Sequence, residues 1–372
     1  MRFETKAIHT GLGIENPSKA IIPPISPSTI FEIDEKGRQE GDLHYTRLGN
    51  PNRLQFEHLI AALEGGSEAA AFASGIAAAT AVLQALDPGD HIIVPEDIYA
   101  GNRKMIHGIM LRWGLNADFI DMTDPAKVEE HIRPETKLIW VETPSNPLMR
   151  ITDIRKVSEL AAERTIPVIA DNTWPTPVNQ LPLELGASLV LHSTSKYFGG
   201  HSDILGGAVI TKEGNELFDR IRFNQQMGGA VPSPQDCWLL SRSTRTLAYR
   251  MRGHNEHAEK AALFLEQHPS IERVWYPGLP SHPQHETARK QMKGFGGMIS
   301  FLVKGSGEDA RKVVVGSRLI KRATSLGGVE TTWEHRAGSE GEGSVSPPTL
   351  IRISIGLEHP DDLIEDLEQA FR

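Results

Sequence analysis

Apolar positions along the chain change character at residue 51, and the change marks where regular structure begins. Phe56, Leu59, Ile60 and Leu63 recur at the spacing of one helix face. Asn50 suits the cap of that helix, Pro51 its first position and Gly65 its stop. Further on, short runs that are apolar throughout take over, near residues 69–73, 91–95, 117–121, 137–142, 167–171 and 188–192. Helix-length segments separate them, with turn chemistry in "DPGD" (87–90), "TDPA" (123–126) and "TD" (152–153). Strands without polar alternation are covered on both faces, so residues 51–245 are predicted to form an α/β domain around a mostly parallel sheet. A long helical region is expected after Pro232. The remainder, 246–372, reads as a smaller α+β domain. Its strands lie in "RVWYP", "GMISFLV" and "LIRISIG", its helices near 307–317 and 359–371, and a loop covers 337–348. Residues 1–50, with the proline-rich "IIPPISPSTIF", sustain no helical period and are expected to be an extended arm.

Composition narrows the function classes. The 372 residues carry a net charge of −9 without long runs of one sign, which argues against nucleic acid as a partner. One cysteine, Cys237, excludes an internal disulfide framework and fits a reducing compartment. It sits in the helical "QDCWLL", where a buried thiol is expected. The first residues lack a signal-peptide core, and no window is apolar enough to span a bilayer, so a cytoplasmic location and no membrane partner are expected. No metal is expected either. H-E-x-x-H is absent, and the pairs His254/His257 and His282/His285 read as solvated polar faces.

The chemistry is expected where the strands end, because open α/β sheets bind ligands outside the carboxyl ends of their strands. Four ends carry polar groups: Ser74-Gly75 before a helix that opens at Ile76, "ETPSNP" (142–147), "DNTW" (171–174) and "STSK" (193–196). Each has a plain reading as a turn, a helix cap or a surface lysine. One ligand would use all four. Ser74, Ser193, Ser195 and the N–H groups of Gly75 and Ile76 suit a phosphate. Asp171 suits a cationic ring nitrogen, and Lys196 offers an amine to a carbonyl. A phosphate, a pyridinium and an aldehyde on one molecule describe pyridoxal 5′-phosphate (PLP). Gly199-Gly200 would let the loop behind the lysine turn. The competing phosphate motifs fail: G-x-x-x-x-G-K-[ST] is absent, and no strand precedes "GLGIEN" (11–16).

At these positions the chain resembles the Cys/Met-metabolism group of PLP enzymes: cystathionine γ-synthase, cystathionine γ-lyase, cystathionine β-lyase and methionine γ-lyase. The resemblance runs through "YTRLGNP" (45–51), "LEGGSEAAAFASGIAA" (63–78), "ETPSNP", "DNTW", "HSTSKYFGGHSD" (192–203), "SLGGVET" (325–331) and "RISIGLE" (352–358). It implies the aspartate-aminotransferase-like fold, fold type I. It implies a homotetramer, a dimer of dimers with shared sites, in which Tyr45 and Arg47 from the arm reach a neighbouring subunit's phosphate. Tyr99 would stack on the cofactor ring and assist proton transfer, and Thr173 would join the cofactor contacts. Asn146 and Arg352 would hold the substrate, Arg352 by a two-pronged contact with the α-carboxylate, and Ser325 would position Lys196. Lys196, Tyr99 and Asp171 would be the catalytic set, with Lys196 removing the Cα proton.

Departures from the group's pattern bear on which reaction is run. Thr324 stands where γ-synthases and γ-lyases carry glutamate, and Gly101 where methionine γ-lyases carry cysteine. Trp174 is β-lyase-like, whereas "SLGGVET" is γ-like. "WEHRAGSEGEG" (333–343) replaces the group's usual sequence, leaving Trp333, His335 and Arg336 either to shape the substrate rim or to form a solvated loop edge. The expected function is γ-replacement or γ-elimination on homoserine esters, cystathionine or related amino acids. The alternatives are a cystathionine β-lyase, a methionine γ-lyase, a non-catalytic PLP-binding paralogue and a nucleotide-binding α/β protein.

Overall fold

The computed structural model describes residues 1–36, 43–341 and 346–372. The arm is not wholly extended: Phe3–His9 forms a helix, α1. Seven residues are too few for a sequence period to register, and what holds α1 is tertiary, since Ala7 is buried against the next helix. That helix, α2 (Pro51–Glu64), has the anticipated ends. The Asn50 side chain accepts from Asn52 N and Arg53 N, and Gly65 closes it at φ 76°. Residues 23–26 are strapped along α2: Asn52 Nδ2 donates to Pro24 O, and Ser26 N donates to Asn52 Oδ1.

Seven strands form the large sheet: β1 (Glu68–Phe72), β2 (His91–Pro95), β3 (Asn116–Ile120), β4 (Thr136–Glu142), β5 (Val168–Asp171), β6 (Leu189–His192) and β7 (Gly207–Thr211). Their order is β1-β7-β6-β5-β4-β2-β3, with every pairing parallel except the two made by β7. The first six lie within a residue or so of the predicted runs. The seventh, antiparallel, is not among the predicted runs: it is five residues, Gly207–Thr211, all buried. β7 fills the gap between β1 and β6, so the carboxyl ends of β1, β6, β5 and β4 share one rim. Helix α3 (Gly75–Leu83) opens directly behind β1.

The C-terminal unit holds a five-stranded sheet: β8 (Ile271–Trp275), β9 (Met298–Val303), β10 (Lys321–Arg322), β11 (Thr332–His335) and β12 (Leu350–Ser354), in the order β10-β11-β12-β9-β8. β8, β9 and β12 fall in the predicted segments. β11 occupies part of the altered stretch, and Arg336–Glu340 is helical where a loop was expected; residues 342–345 of that loop lie outside the described residues. The helix Leu247–Gln267 runs from one unit to the other, and one apolar cluster includes Ala71, Met251 and Met298. His254 and His282 are not solvated, as the spacing suggested. Both are buried, His254 Nδ1 against Ile355 O and His282 Nε2 against Met149 O. Burial pushes both down to about 4, so they are neutral structural groups at physiological pH. Cys237 is fully buried, and burial pushes its thiol well up. Among the described residues no helix is long and apolar enough to cross a membrane, and no cluster of three histidine, cysteine or acidic side chains is placed to hold a metal.

Candidate active site

Lys196 lies in the turn after β6, and its placement is enforced from two sides. Behind it, Arg250 Nη1 donates to Tyr197 O and Arg250 Nη2 to Ser243 O. Gly200 turns at φ 72°, where a Cβ would stand 2.2 Å from Arg250 Nη1. In front lies the "SLGG" turn. A Cβ on Gly327 would stand 2.7 Å from Tyr197 N, so only glycine lets that turn approach the lysine backbone. Ser325 in the same turn sits at φ 82°, a left-handed conformation that costs a non-glycine residue about 1 kcal/mol. Its Oγ accepts from Lys196 Nζ at 2.6 Å.

The amine is tuned by its surroundings. Burial is the main cause and the nearby Arg352 charge adds to it; Glu334 opposes both, and Lys196 ends pushed down to about 8. A lowered lysine pKa places the neutral, nucleophilic form within reach at working pH. The expected result is that cofactor-free protein captures the PLP aldehyde faster as pH rises through about 8 and then levels off. Stopped-flow absorbance across a pH series reads this directly; a midpoint near the ordinary lysine value of 10.5 would contradict it.

Next to the lysine loop the rim is lined with donors. Ser74 caps α3 by accepting from Ala77 N, and the first intrahelical bond is Ala78 N to Ser74 O. The N–H groups of Gly75 and Ile76 therefore precede the helix's own bonding. A Cβ on Gly75 would stand 2.7 Å from Ser193 Cβ, so α3 and the turn after β6 meet closely. Ser193 N donates to Thr173 Oγ1, and Thr173 N donates to Asp171 Oδ1, which ties the ends of β6 and β5 together. Ser195 is less free than expected: its Oγ accepts from Gly206 N and donates to Gly206 O.

Asp171 and Glu142 stand side by side, Cα partners across β5 and β4. Burial raises both. Asp171 is restrained by hydrogen bonds from Thr173 and by the charge of His192, whereas its own negative charge drives Glu142 further up. Glu142 is thus held towards its neutral form. Glu142 Oε2 also accepts from Tyr99 N at 2.9 Å, fixing the start of the helix Ala100–Met105 that carries the half-exposed Tyr99 ring. No local signal marked Glu142 for a role, although it opens the "ETPSNP" motif.

On the far side Arg352 emerges from β12. It is 5% exposed, and Nη1 donates to Asn146 Oδ1 at 2.8 Å while Nη2 faces Ser325 O and forms an ion pair with Glu334. Burial pushes it down to about 10, so it keeps its charge at neutral pH. Lys196, Ser325, Asn146 and Arg352 are brought together as expected. Tyr45 and Arg47 are not brought to them: Arg47 Nη1 donates to Gln226 O at 2.7 Å, and Tyr45 is 40% exposed. Trp333 is fully buried in the small domain's core, and His335 Nε2 meets Pro348 O, so neither forms the rim. Arg336, 8% exposed, is no solvated edge.

This arrangement fits PLP: free amides and hydroxyls at the opening of α3 for the phosphate, Asp171 for the ring nitrogen, Lys196 for the aldehyde. When bound, PLP supplies the electron sink for charge released at a substrate's Cα. Fold and site thus define a PLP-dependent enzyme of the α/β class. The chain belongs to the Cys/Met metabolism PLP-dependent enzyme family, whose model matches residues 4–372. It is 44% identical over 372 residues to the cystathionine gamma-synthase of Mycobacterium tuberculosis, covering 98% of this chain and 96% of that protein. It is 41% identical over 377 residues to the cystathionine beta-lyase of Coxiella burnetii, covering 99% and 97%. The crystal structure of metB from Corynebacterium glutamicum superposes with a TM-score of 0.96 at 43% identity, covering 100% of this chain and 98% of that one.

Proposed function

We propose that the protein is a transsulfuration enzyme working at the γ-carbon, by γ-replacement or γ-elimination on a homoserine ester, cystathionine or a related sulfur amino acid. The observation that carries the reading is the pairing of Lys196 with Arg352. One side chain is an amine pushed down to about 8, and the other a buried guanidinium beside Asn146. Arg352 would hold the α-carboxylate by a bidentate contact, and Lys196 would take the Cα proton. The same lysine, on its flexible stem, can carry a proton onward, as a γ-leaving group requires.

Two details weigh against the named alternatives. Trp174, the β-lyase-like residue, is 9% exposed and packed in the large apolar cluster, so it supports the site from beneath. A Cβ at Gly101 would stand 2.3 Å from the Tyr99 ring, so a methionine γ-lyase's cysteine there would require that half-exposed ring to shift. The γ-synthase and γ-lyase names among the relatives point the same way. In the assembled enzyme, a dimer of dimers, Tyr45 and Arg47 would complete a neighbour's phosphate site; the exposure of Tyr45 and the bond of Arg47 to Gln226 O in their own chain support this.

Product analysis tests the reading. Incubation of the PLP-loaded enzyme with cystathionine is expected to release cysteine and 2-oxobutanoate, and an acylated homoserine with cysteine is expected to give cystathionine. Homocysteine and pyruvate as the only products would make it a β-lyase. Light scattering on the same preparation should give the mass of four chains, and a monomer of full activity would remove the shared-site proposal.

A further inference from the structure

The carboxylate clamp does not stand alone. Glu334 on β11 is the register partner of Arg352 on β12, so the antiparallel pairing itself sets a carboxylate opposite the guanidinium. Arg352 Nη2 and Arg336 Nη1 both donate to one oxygen of Glu334, Oε1. Arg336 Nη2 then donates to Glu340 Oε1 at 2.7 Å, an oxygen that also accepts from Ser346 Oγ. The result is an alternating row of charges, Arg352, Glu334, Arg336, Glu340, running from the substrate end into the segment that departs from the family's pattern. Arg352, Glu334 and Arg336 are 5%, 5% and 8% exposed, so solvent screens them little.

Electrostatics gives each member a task. Alone with Glu334, Arg352 would be a neutral pair, and an incoming α-carboxylate would meet Glu334's repulsion along with Arg352's attraction. Arg336 supplies the second positive charge. With it, Arg352, Glu334 and Arg336 together carry two positive charges and one negative, which an α-carboxylate balances; Glu340, the fourth member, lies at the far end of the row and is the more exposed, at 18%.

We propose that Arg336 is a specificity-determining positioning residue: by sharing Glu334 it leaves Arg352 free to bind a substrate carboxylate. The inference rests on the reading of Arg352 as the clamp. It makes the altered 333–343 segment a setting for carboxylate affinity.

The test separates carboxylate recognition from amine recognition in the PLP-loaded enzyme. Glycine and methylamine both present a primary amine to the cofactor, but only glycine carries a carboxylate. Titrating each by visible absorbance gives a ratio of affinities that reports the clamp. Arg336→Met is expected to weaken glycine by about 10-fold, the scale of one charge in a buried pair, and to leave methylamine within about twofold. With cystathionine it should raise KM by a similar factor and leave kcat nearly unchanged. Arg336→Lys, which keeps the charge, should restore most of the ratio. Glu334→Gln alone should tighten glycine, and Glu334→Gln combined with Arg336→Met should return the ratio to within about threefold of the parent. Should Arg336→Met fail to fold, Glu334→Gln decides: a weakened glycine affinity overturns the proposal. Arg352→Ala distinguishes the two levels. If it lowers the glycine ratio while Arg336→Met does not, this inference alone fails. If neither changes it, the clamp reading fails as well.

Discussion

Lys196→Ala is expected to remove turnover, by on the order of 10³-fold or more, while the protein stays folded and still binds PLP. The effect should be this large because one atom, Nζ, performs two tasks that no neighbour can take over. On the proposed reading it is the amine that would meet the cofactor aldehyde and the base that would serve Cα. The nearest hydroxyl, Ser325 Oγ at 2.6 Å, is too weak a base to substitute. Folding should survive because what shapes the turn is its backbone: Arg250 on Tyr197 O from behind and the glycine turn in front. The side chain itself is half-buried at the open rim, so truncation leaves a solvent-filled gap and no core cavity. Three measurements check this: activity near background, a changed visible spectrum of the bound cofactor, and a thermal midpoint close to the parent's. A small primary amine in the buffer should restore part of the rate if chemistry, not architecture, was lost. A variant with parental activity would remove Lys196 from the site.

What could be read from the residues alone followed how local the signal was. Most of the first six strands were legible because burial on both faces makes them apolar runs, the edge strand β3 (NADFI) being the exception, and α2 because its period and both its caps lie within sixteen residues. β7 was missed because five residues that begin with a glycine carry too little pattern, and its pairing with β1 joins segments far apart in sequence. Lys196, Asp171 and Ser74 stood out because strand ends in such a sheet are where ligands bind. Arg352 was reached through the family resemblance carried by "RISIGLE". Its partner Glu334 was not, because their pairing depends on the register of β11 against β12, which no local rule specifies across the intervening segment. Glu142 escaped for a related reason: that it faces Asp171 depends on the register of two parallel strands. His254 was misjudged because helical spacing tells which residues share a face and only packing tells whether that face meets water; His282 was misjudged because it precedes the helix that begins at His285.

Asp171→Asn is expected to slow Cα proton removal by about 10²–10³-fold, the usual effect of deleting one preorganised group that stabilises developing charge. The substitution is nearly isosteric. Thr173 N can still donate to the amide oxygen that replaces Oδ1, so the join between β5 and β6 should hold and the fold with it. What disappears is the negative charge at the end of β5. In the free site that charge is resisted by burial and supported by Thr173 and His192; a cationic ring nitrogen opposite would support it further. An amide cannot favour a protonated ring, so electrons released at Cα would find a poorer acceptor. Exchange of the glycine α-protons in heavy water, followed by NMR, isolates this step from any leaving group. Glu142→Gln is the control that gives the test its edge. Glu142 lies beside Asp171 and is as deeply buried, but burial and the Asp171 charge already hold it towards its neutral form. Replacing a neutral acid with an amide should cost little, within about fivefold, and that through the bond to Tyr99 N. Equal losses from the two substitutions would mean that the negative charge is shared between the carboxylates, and an unchanged rate in Asp171→Asn would mean that the ring nitrogen's partner lies elsewhere.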